Sequence, residues 1–324
     1  MGPGAERRPT TITRVSLGRL LPHRGIDRVL WLLGGLVILS LVGFAGYYYT
    51  DRYVHADEKI LDREAAHIEA MIAKSPQDPD LRVTIANYYF ESGLTDLAVK
   101  QANEALKIEP KHPGAMLLLA QVATSKGDVK GAIAYYERIV ELNKDSPMAH
   151  LDTRLAGVYY ELGKLYTQQG EYPKAVDSLK SALAIDNTDA DAHCALGEVY
   201  QKQGDHEGAV REFAEALRFD PQFAESYQGL AASYAALGKT AEATYAQGMV
   251  AYAQGNPADA APKLEAAVQQ APDFMPAYLG LGLVYEKLGK SDQAVAALQK
   301  YLAANPNDEA ASQALGRLQK GGAQ

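Results

Sequence analysis

Two columns of small residues recur at matching intervals along most of the chain, and they constrain the fold more than any other feature. One column holds alanine or glycine inside predicted helices: Ala86, Ala120, Gly163, Gly197, Ala231, Gly248 and Gly282. The other holds a glycine seven positions further on: Gly93, Gly127, Gly170, Gly204, Gly238, Gly255 and Gly289. Both columns advance in the same steps. Most steps are about 34 residues long, the step from Ala120 to Gly163 is longer, and the step from Ala231 to Gly248 is half as long. This agreement indicates that the chain is built from copies of one unit.

Residues 190–223 give the clearest copy of the unit. A first amphipathic helix ends at Gly204, and a second one ends before Pro221. The small residues Gly197 and Ala209 let the two helices approach closely where they cross. Because a single unit of this kind cannot bury its own apolar faces, each copy needs neighbours. The sequence therefore predicts an all-α stack of helix pairs.

This pattern closely resembles the tetratricopeptide repeat, a helix–turn–helix unit with small, aromatic, glycine, alanine and proline positions. The resemblance covers about residues 79–308. It implies an α-solenoid, a right-handed superhelix of helix pairs, which binds a protein or peptide partner in its concave groove. It does not identify the partner, because one fold serves many functions.

The repeat steps divide the chain into segments. We predict a basic cytoplasmic tail over 1–28, a transmembrane helix over 29–49, a linker and N-terminal packing helix over 50–78, the repeat array over 79–308, and a C-terminal capping helix and tail over 309–324. Within the array we expect repeats at 79–112, 113–146, 156–189 and 190–223, a half repeat at 224–240, and repeats at 241–274 and 275–308.

Two irregularities interrupt the array. The nine extra residues 147–155 are expected to lengthen the next helix backwards, giving one helix from Pro147 to Gln169. The half-length step from Ala231 to Gly248 leaves out one helix, so either a helix changes its role or the superhelix breaks near Gly238–Gly255. We expect a bend there, between a block that ends at residue 223 and a second block.

An uncharged run, residues 29–49, precedes the repeats. As a helix it would span roughly 30 Å, the thickness of the bilayer core. Residues 1–28 carry six arginines and two acidic residues, so the positive-inside rule places the N-terminus in the cytoplasm. We therefore expect a single-pass inner-membrane protein with residues 50–324 extracytoplasmic. The predicted membrane-interface residues are Trp31, Tyr47, Tyr48 and Tyr49.

A cleaved signal peptide is the alternative interpretation of residues 29–49. The apolar run and the leader before it are both longer than such peptides usually have. An uncleaved anchor is therefore favoured.

Composition and motifs exclude several functions. The net charge is −8, and residues 1–28 contribute +4, so the remaining −12 argues against a nucleic-acid partner. The seven histidines are dispersed, and neither H-E-x-x-H nor a P-loop occurs. Cys194 is the single cysteine, which rules out an intramolecular disulfide and a C-x-x-C site. We expect no enzymatic activity, no cofactor and no metal site.

The resemblance implies that the first helix of each repeat lines the concave groove. The side of each first helix opposite the packed small residue gives the candidate partner-binding residues, which are Asn87, Phe90, Leu117, Gln121, Tyr160, Lys164, Cys194, Glu198, Gln228, Tyr245, Met249, Tyr252, Leu279 and Leu283. The aromatic and methionine side chains among them suit adaptable peptide binding. For Tyr245, Met249 and Tyr252, burial in the core is an equally good interpretation.

Some tetratricopeptide proteins hold a chaperone's C-terminal carboxylate with paired polar residues. Asn87 matches one such position. Its companions here, Val83, Leu118 and Gly157, cannot bind a carboxylate. We therefore do not expect that specificity.

These features together predict a membrane-anchored scaffold that binds partner polypeptides at the extracytoplasmic face. It would act in assembly, maturation or translocation of envelope proteins, and is similar to single-span tetratricopeptide proteins beside the secretion channel or in cytochrome maturation. The alternative is a constitutive structural subunit of a large membrane protein complex. A third interpretation keeps the array in the cytoplasm, as in anchored tetratricopeptide regulators of envelope lipid synthesis. Those proteins carry a four-cysteine metal site that this chain lacks.

Overall fold

The computed structural model describes the backbone of residues 23–49 and 56–321 and the side chains of residues 35–47, 49 and 63–320. The described residues form sixteen α-helices and one short 3-10 turn, with no strand. They fall into two compact units, divided between Ser75 and Pro76.

The first unit contains helix α1, His23–Tyr49, and helix α2, Ala56–Lys74. The large hydrophobic side chains described on α1 are exposed, from 56% at Val37 to 73% at Leu39. Nowhere in the described ranges does a helix combine the length and the apolar content needed to cross a membrane. The interface candidates Trp31 and Tyr48 lie outside the described side chains, whereas Tyr47 and Tyr49 are exposed.

The second unit is a succession of helices joined by short turns. These helices are α3 Pro79–Glu91, α4 Thr95–Ile108, α5 Pro113–Ser125, α6 Val129–Asn143, α7 Thr153–Gln169, α8 Tyr172–Ile185, α9 Ala190–Gln203, α10 His206–Phe219, α11 Ala224–Ala236, α12 Thr240–Ala253, α13 Pro257–Gln270, α14 Met275–Lys287, α15 Ser291–Ala304 and α16 Glu309–Gly321. Each helix packs on the next, and first helices of neighbouring repeats also touch, as α9 and α11 do.

Both columns of small residues have the structural roles that the sequence predicts. All seven turn glycines have φ between 70° and 80°, the left-handed conformation that residues with a Cβ atom rarely adopt. In the first column, a Cβ atom on Gly197 would lie 2.9 Å from the ring of Phe213. On Gly163 it would lie 2.5 Å from Leu179 Cγ. The helices of each pair therefore cross at these residues, with their backbones close together.

The expected long helix from Pro147 to Gln169 is wrong. Helix α7 begins at Thr153, and residues Ala149–Leu151 form a separate 3-10 turn. The reason is an N-cap: Asp152 Oδ1 accepts a hydrogen bond from the backbone N–H of Arg154 at 3.0 Å. This cap satisfies a free N–H group of the first turn, so the helix starts there.

Helix α12 accounts for the half-length repeat step by serving two repeats. It packs against α11 as a second helix would, and against α13 as a first helix would. Gly248 shows that α12 acts as a first helix towards α13, because a Cβ atom there would lie 2.9 Å from Leu264 of α13. The change of role, and not a break, is therefore the alternative that the structure adopts.

The hydrophobic core is continuous across α12. One cluster of buried residues extends from Cys194 on α9 to Ala297 on α15 and includes Phe213, Met249 and Leu264. The expected separation into two blocks at residue 223 is therefore wrong, because α10 and α11 share this core. Helix α16 covers the far end of the array, where Ala311 and Ala314 are buried against Leu298.

Candidate partner-binding groove

The structure brings nine of the fourteen predicted groove residues to two neighbouring cavities. We call these the apolar cavity and the polar cavity. Across the whole predicted set, Asn87, Gln121, Lys164, Glu198 and Gln228 are exposed; Phe90, Leu117, Tyr160, Tyr245, Tyr252, Leu279 and Leu283 are half-buried; Cys194 and Met249 are buried.

The apolar cavity has a volume of about 510 Å³ and lies where α10, α11, α12 and α14 meet. Five predicted residues line it, namely Tyr245, Met249, Tyr252, Leu279 and Leu283. For Tyr245, Met249 and Tyr252 the sequence allowed either the core or the groove, and the structure places them differently. Met249 is only 3% exposed and belongs to the core, yet it also forms part of the cavity wall, whereas Tyr245 and Tyr252 stay half-buried.

The aromatic rings of the apolar cavity are fixed by contacts with one another. The ring centroid of Tyr245 lies 6.5 Å from that of Tyr227 and 5.2 Å from that of Phe274, both edge to face. The Tyr227 hydroxyl donates a hydrogen bond to the Pro221 carbonyl at 3.3 Å. Burial raises the pKa of Tyr227 to about 12 and that of Tyr245 well above its ordinary value. Both phenols are therefore neutral at physiological pH.

Part of the apolar cavity comes from residues outside the predicted face of the first helices. Leu217 and Arg218 come from the second helix α10, and Pro221 and Gln222 from the connection that follows it. Asp308 comes from the turn before α16. A rule that selects one face of each first helix omits all of these positions.

The polar cavity, of about 340 Å³, lies between α7, α9 and the start of α11. It brings together four predicted residues, Tyr160, Lys164, Cys194 and Glu198. The Lys164 ammonium group lies 3.2 Å from Glu161 Oε1 and 4.8 Å from the centre of the Tyr160 ring. Burial raises the pKa of the Cys194 thiol to about 11, so the thiol is protonated and a poor nucleophile at neutral pH.

Sequence reasoning missed four further residues of the polar cavity, one of which is Ala195. The others are Asp191, Phe223 and Glu225, and two of these carry carboxylates. Both acidic residues lie in the first turn of a first helix, where the sequence favours them as partners of the helix dipole. Because the helix dipole already explains these residues, the sequence alone gave no reason to expect them at the cavity wall.

The remaining predicted residues lie apart from these two cavities. Leu117 lines a small cavity of about 100 Å³ beside the start of α7. Asn87, Phe90, Gln121 and Gln228 line none of the three cavities. In the part of the chain that the structure describes, no group of three or more histidine, cysteine or acidic residues is placed to hold a metal ion.

The succession of paired helices, close small-residue crossings and a lined groove defines a class: a helical-repeat scaffold for binding other proteins. Family models described as "TPR repeat" and "Tetratricopeptide repeat" match residues 83–147, 163–204, 190–223 and 245–309. Together they cover more than half of the chain. The chain therefore belongs to the tetratricopeptide repeat family, whose arrays are scaffolds for protein–protein interaction.

Two solved structures have folds similar to that of this chain. The crystal structure of MamA protein is similar with a TM-score of 0.50 and 26% identity, over 56% of this chain and 93% of that one. The C-terminal part of a TPR repeat-containing protein from Cytophaga hutchinsonii has a TM-score of 0.50 and 18% identity, over 83% of this chain and 99% of that one. At this identity, the likeness shows the fold alone.

A curated relative matches a shorter stretch. Superkiller protein 3 of Schizosaccharomyces pombe is 25% identical over 127 residues, which is 39% of this chain. The matched stretch is 9% of that protein, so this chain spans under a tenth of the relative's length.

Proposed function

We propose that the apolar and polar cavities form one groove in which this scaffold binds a segment of a partner polypeptide. The apolar cavity is the observation that carries the proposal. Its volume of about 510 Å³ can take one or two large side chains. Tyrosine, methionine and leucine line it. Tyrosine is enriched at the hot spots of protein interfaces, and methionine adapts its shape to different partners. The proposal gives the chain a binding role and no catalytic one.

A crosslinking experiment in cells tests the groove. A photoreactive amino acid is placed at Leu283 in the apolar cavity, at Tyr160 in the polar cavity, and at exposed Gln299 on the second helix α15 as a matched control. We expect the same discrete partner to be attached from positions 160 and 283, and nothing from position 299. Equal labelling from all three positions would show that the partner does not bind specifically in the groove.

We further propose that residues 29–49 anchor the scaffold in the inner membrane, with the array on the extracytoplasmic side. The uncharged run, the arginines before it and the exposed apolar side chains of α1 support this arrangement. The scaffold then acts in assembly, maturation or translocation of envelope proteins. Added protease should digest residues 50–324 in right-side-out spheroplasts, and protection of the array there would contradict the topology.

A constitutive subunit of a large membrane complex is the second candidate. Met148 and Leu151 favour it, because each is 61% exposed in the segment before α7 and so offers apolar surface outside the groove. Gentle detergent extraction followed by sizing separates the two functions. A stoichiometric heavy complex favours the subunit, and substoichiometric, mixed partners favour the assembly factor.

A further inference from the structure

One short segment of the chain contributes to the walls of both cavities. This segment is Pro221–Tyr227, which we call the partition; it connects α10 to the first turn of α11. Pro221 and Tyr227 line the apolar cavity, whereas Phe223 and Glu225 line the polar one. A partner that occupies one cavity therefore reaches the other by passing over the partition.

The polar cavity carries unpaired negative charge. Three exposed carboxylates line it, those of Asp191, Glu198 and Glu225, and none of them forms a salt bridge with any residue that the structure describes. The cation on the cavity wall, Lys164, is already hydrogen-bonded to Glu161.

Two titratable side chains of the polar cavity experience this negative charge. Burial raises the pKa of Tyr160 to about 12, and the carboxylates of Asp191 and Glu161 add to the rise. Burial also raises the pKa of Cys194, and Glu198 adds to that rise. The carboxylates would attract a cation from a partner and repel a partner's carboxylate.

We propose that the groove selects an extended partner segment in which a large apolar side chain and a lysine or arginine are separated by about three residues. The apolar side chain enters the apolar cavity, and the cation lies among Asp191, Glu198 and Glu225. The spacing follows from the partition, which is one helix end wide, about 10 Å. An extended chain covers that width in about three residues. This inference rests on the proposed function and adds the chemistry of the partner.

Peptide binding to the detergent-solubilised full chain, measured by fluorescence anisotropy, tests the inference. The probe is a labelled twelve-residue peptide of glycine and serine that carries two leucines, a spacer of three residues and two lysines. One comparison peptide replaces both lysines with glutamate, and another replaces both leucines with serine. We expect the lysine peptide to bind about ten-fold more tightly than the glutamate peptide, and the difference to shrink as salt rises.

Variants of the chain locate the effect. The double variant Glu198→Gln with Glu225→Gln should weaken binding of the lysine peptide about five-fold, since each exposed charge pair contributes little on its own. Glu207→Gln is the matched control, because Glu207 is also exposed but lies outside both cavities. Leu283→Gln should weaken binding of the lysine peptide and of the glutamate peptide by the same factor.

The outcomes separate this inference from the proposed function. Equal affinity for the lysine and glutamate peptides, with the leucines still required, overturns the charge selection and leaves the groove in place. If the affinity changes neither when the leucines are replaced nor in Leu283→Gln, the proposal that the groove binds the partner is wrong.

Discussion

Replacing Gly163 with alanine tests the close helix crossing on which the whole array depends. The new Cβ atom would lie 2.5 Å from Leu179 Cγ, whereas carbon atoms in contact are normally about 3.5–4.0 Å apart. Leu179 is completely buried, so it has little room to move. Overpacking of this kind costs about 1–3 kcal/mol. Removing a glycine from a helix interior returns about 1 kcal/mol. The expected net result is a loss of stability between zero and about 2 kcal/mol.

Gly157 provides the control within the same helix. It is exposed, and no atom lies within 4 Å of the position where its Cβ would be placed. Gly157→Ala should therefore stabilise the chain by about 1 kcal/mol, the helix-propensity gain alone. The two variants should differ by about 1–3 kcal/mol in urea denaturation followed by far-UV circular dichroism. Equal stabilisation by both substitutions would refute the argument that Gly163 is required by its contact with Leu179.

Three further predictions concern a helix cap, an ion pair and the cysteine. Asp152→Ala should destabilise the array by about 1 kcal/mol in the same urea assay, because it removes the N-cap of α7; no loss would mean that the cap does not set the start of the helix. The hydrogen bond with Glu212 raises the pKa of His193 above 6.5, so the pair should stabilise the fold below that pH and lose this contribution as pH rises through the raised pKa. The urea midpoint of Glu212→Gln should lack this pH dependence, and an unchanged profile would exclude the pair as its source. The buried Cys194 thiol, with its pKa of about 11, should react with a thiol reagent at neutral pH far more slowly in the folded chain than after unfolding; equal rates would contradict its burial.

The fold could be predicted from the sequence because its determinants are local and repeated. A positive φ at Gly204 and the small Gly197 opposite Phe213 each follow from the spacing of one helix pair. The irregular places required more than spacing. The predicted helix over 147–169 begins only at Thr153, because the Asp152 side chain caps its first turn.

The groove was predictable only in part. Tyr245, Met249 and Leu283 lie on first helices and were found from the helical face that they share. Pro221 and Asp308 come to the same cavity from two connections that are far apart in the sequence, because α12 joins the helices before and after it. The double role of α12 depends on which neighbours it packs against. The half-length repeat step left that open, since it allowed either a change of role or a break.

The central claim is that a partner side chain occupies the apolar cavity. Its most direct test is the affinity of the crosslinked partner's own segment, once identified, for the full chain and for the variant Leu283→Trp. The indole of this variant occupies space that the partner side chain needs. We expect binding to weaken at least ten-fold. The free energy of unfolding, measured in urea, should change by no more than about 0.5 kcal/mol, as for ordinary surface substitutions. Unchanged affinity in a normally folded Leu283→Trp chain would contradict the claim.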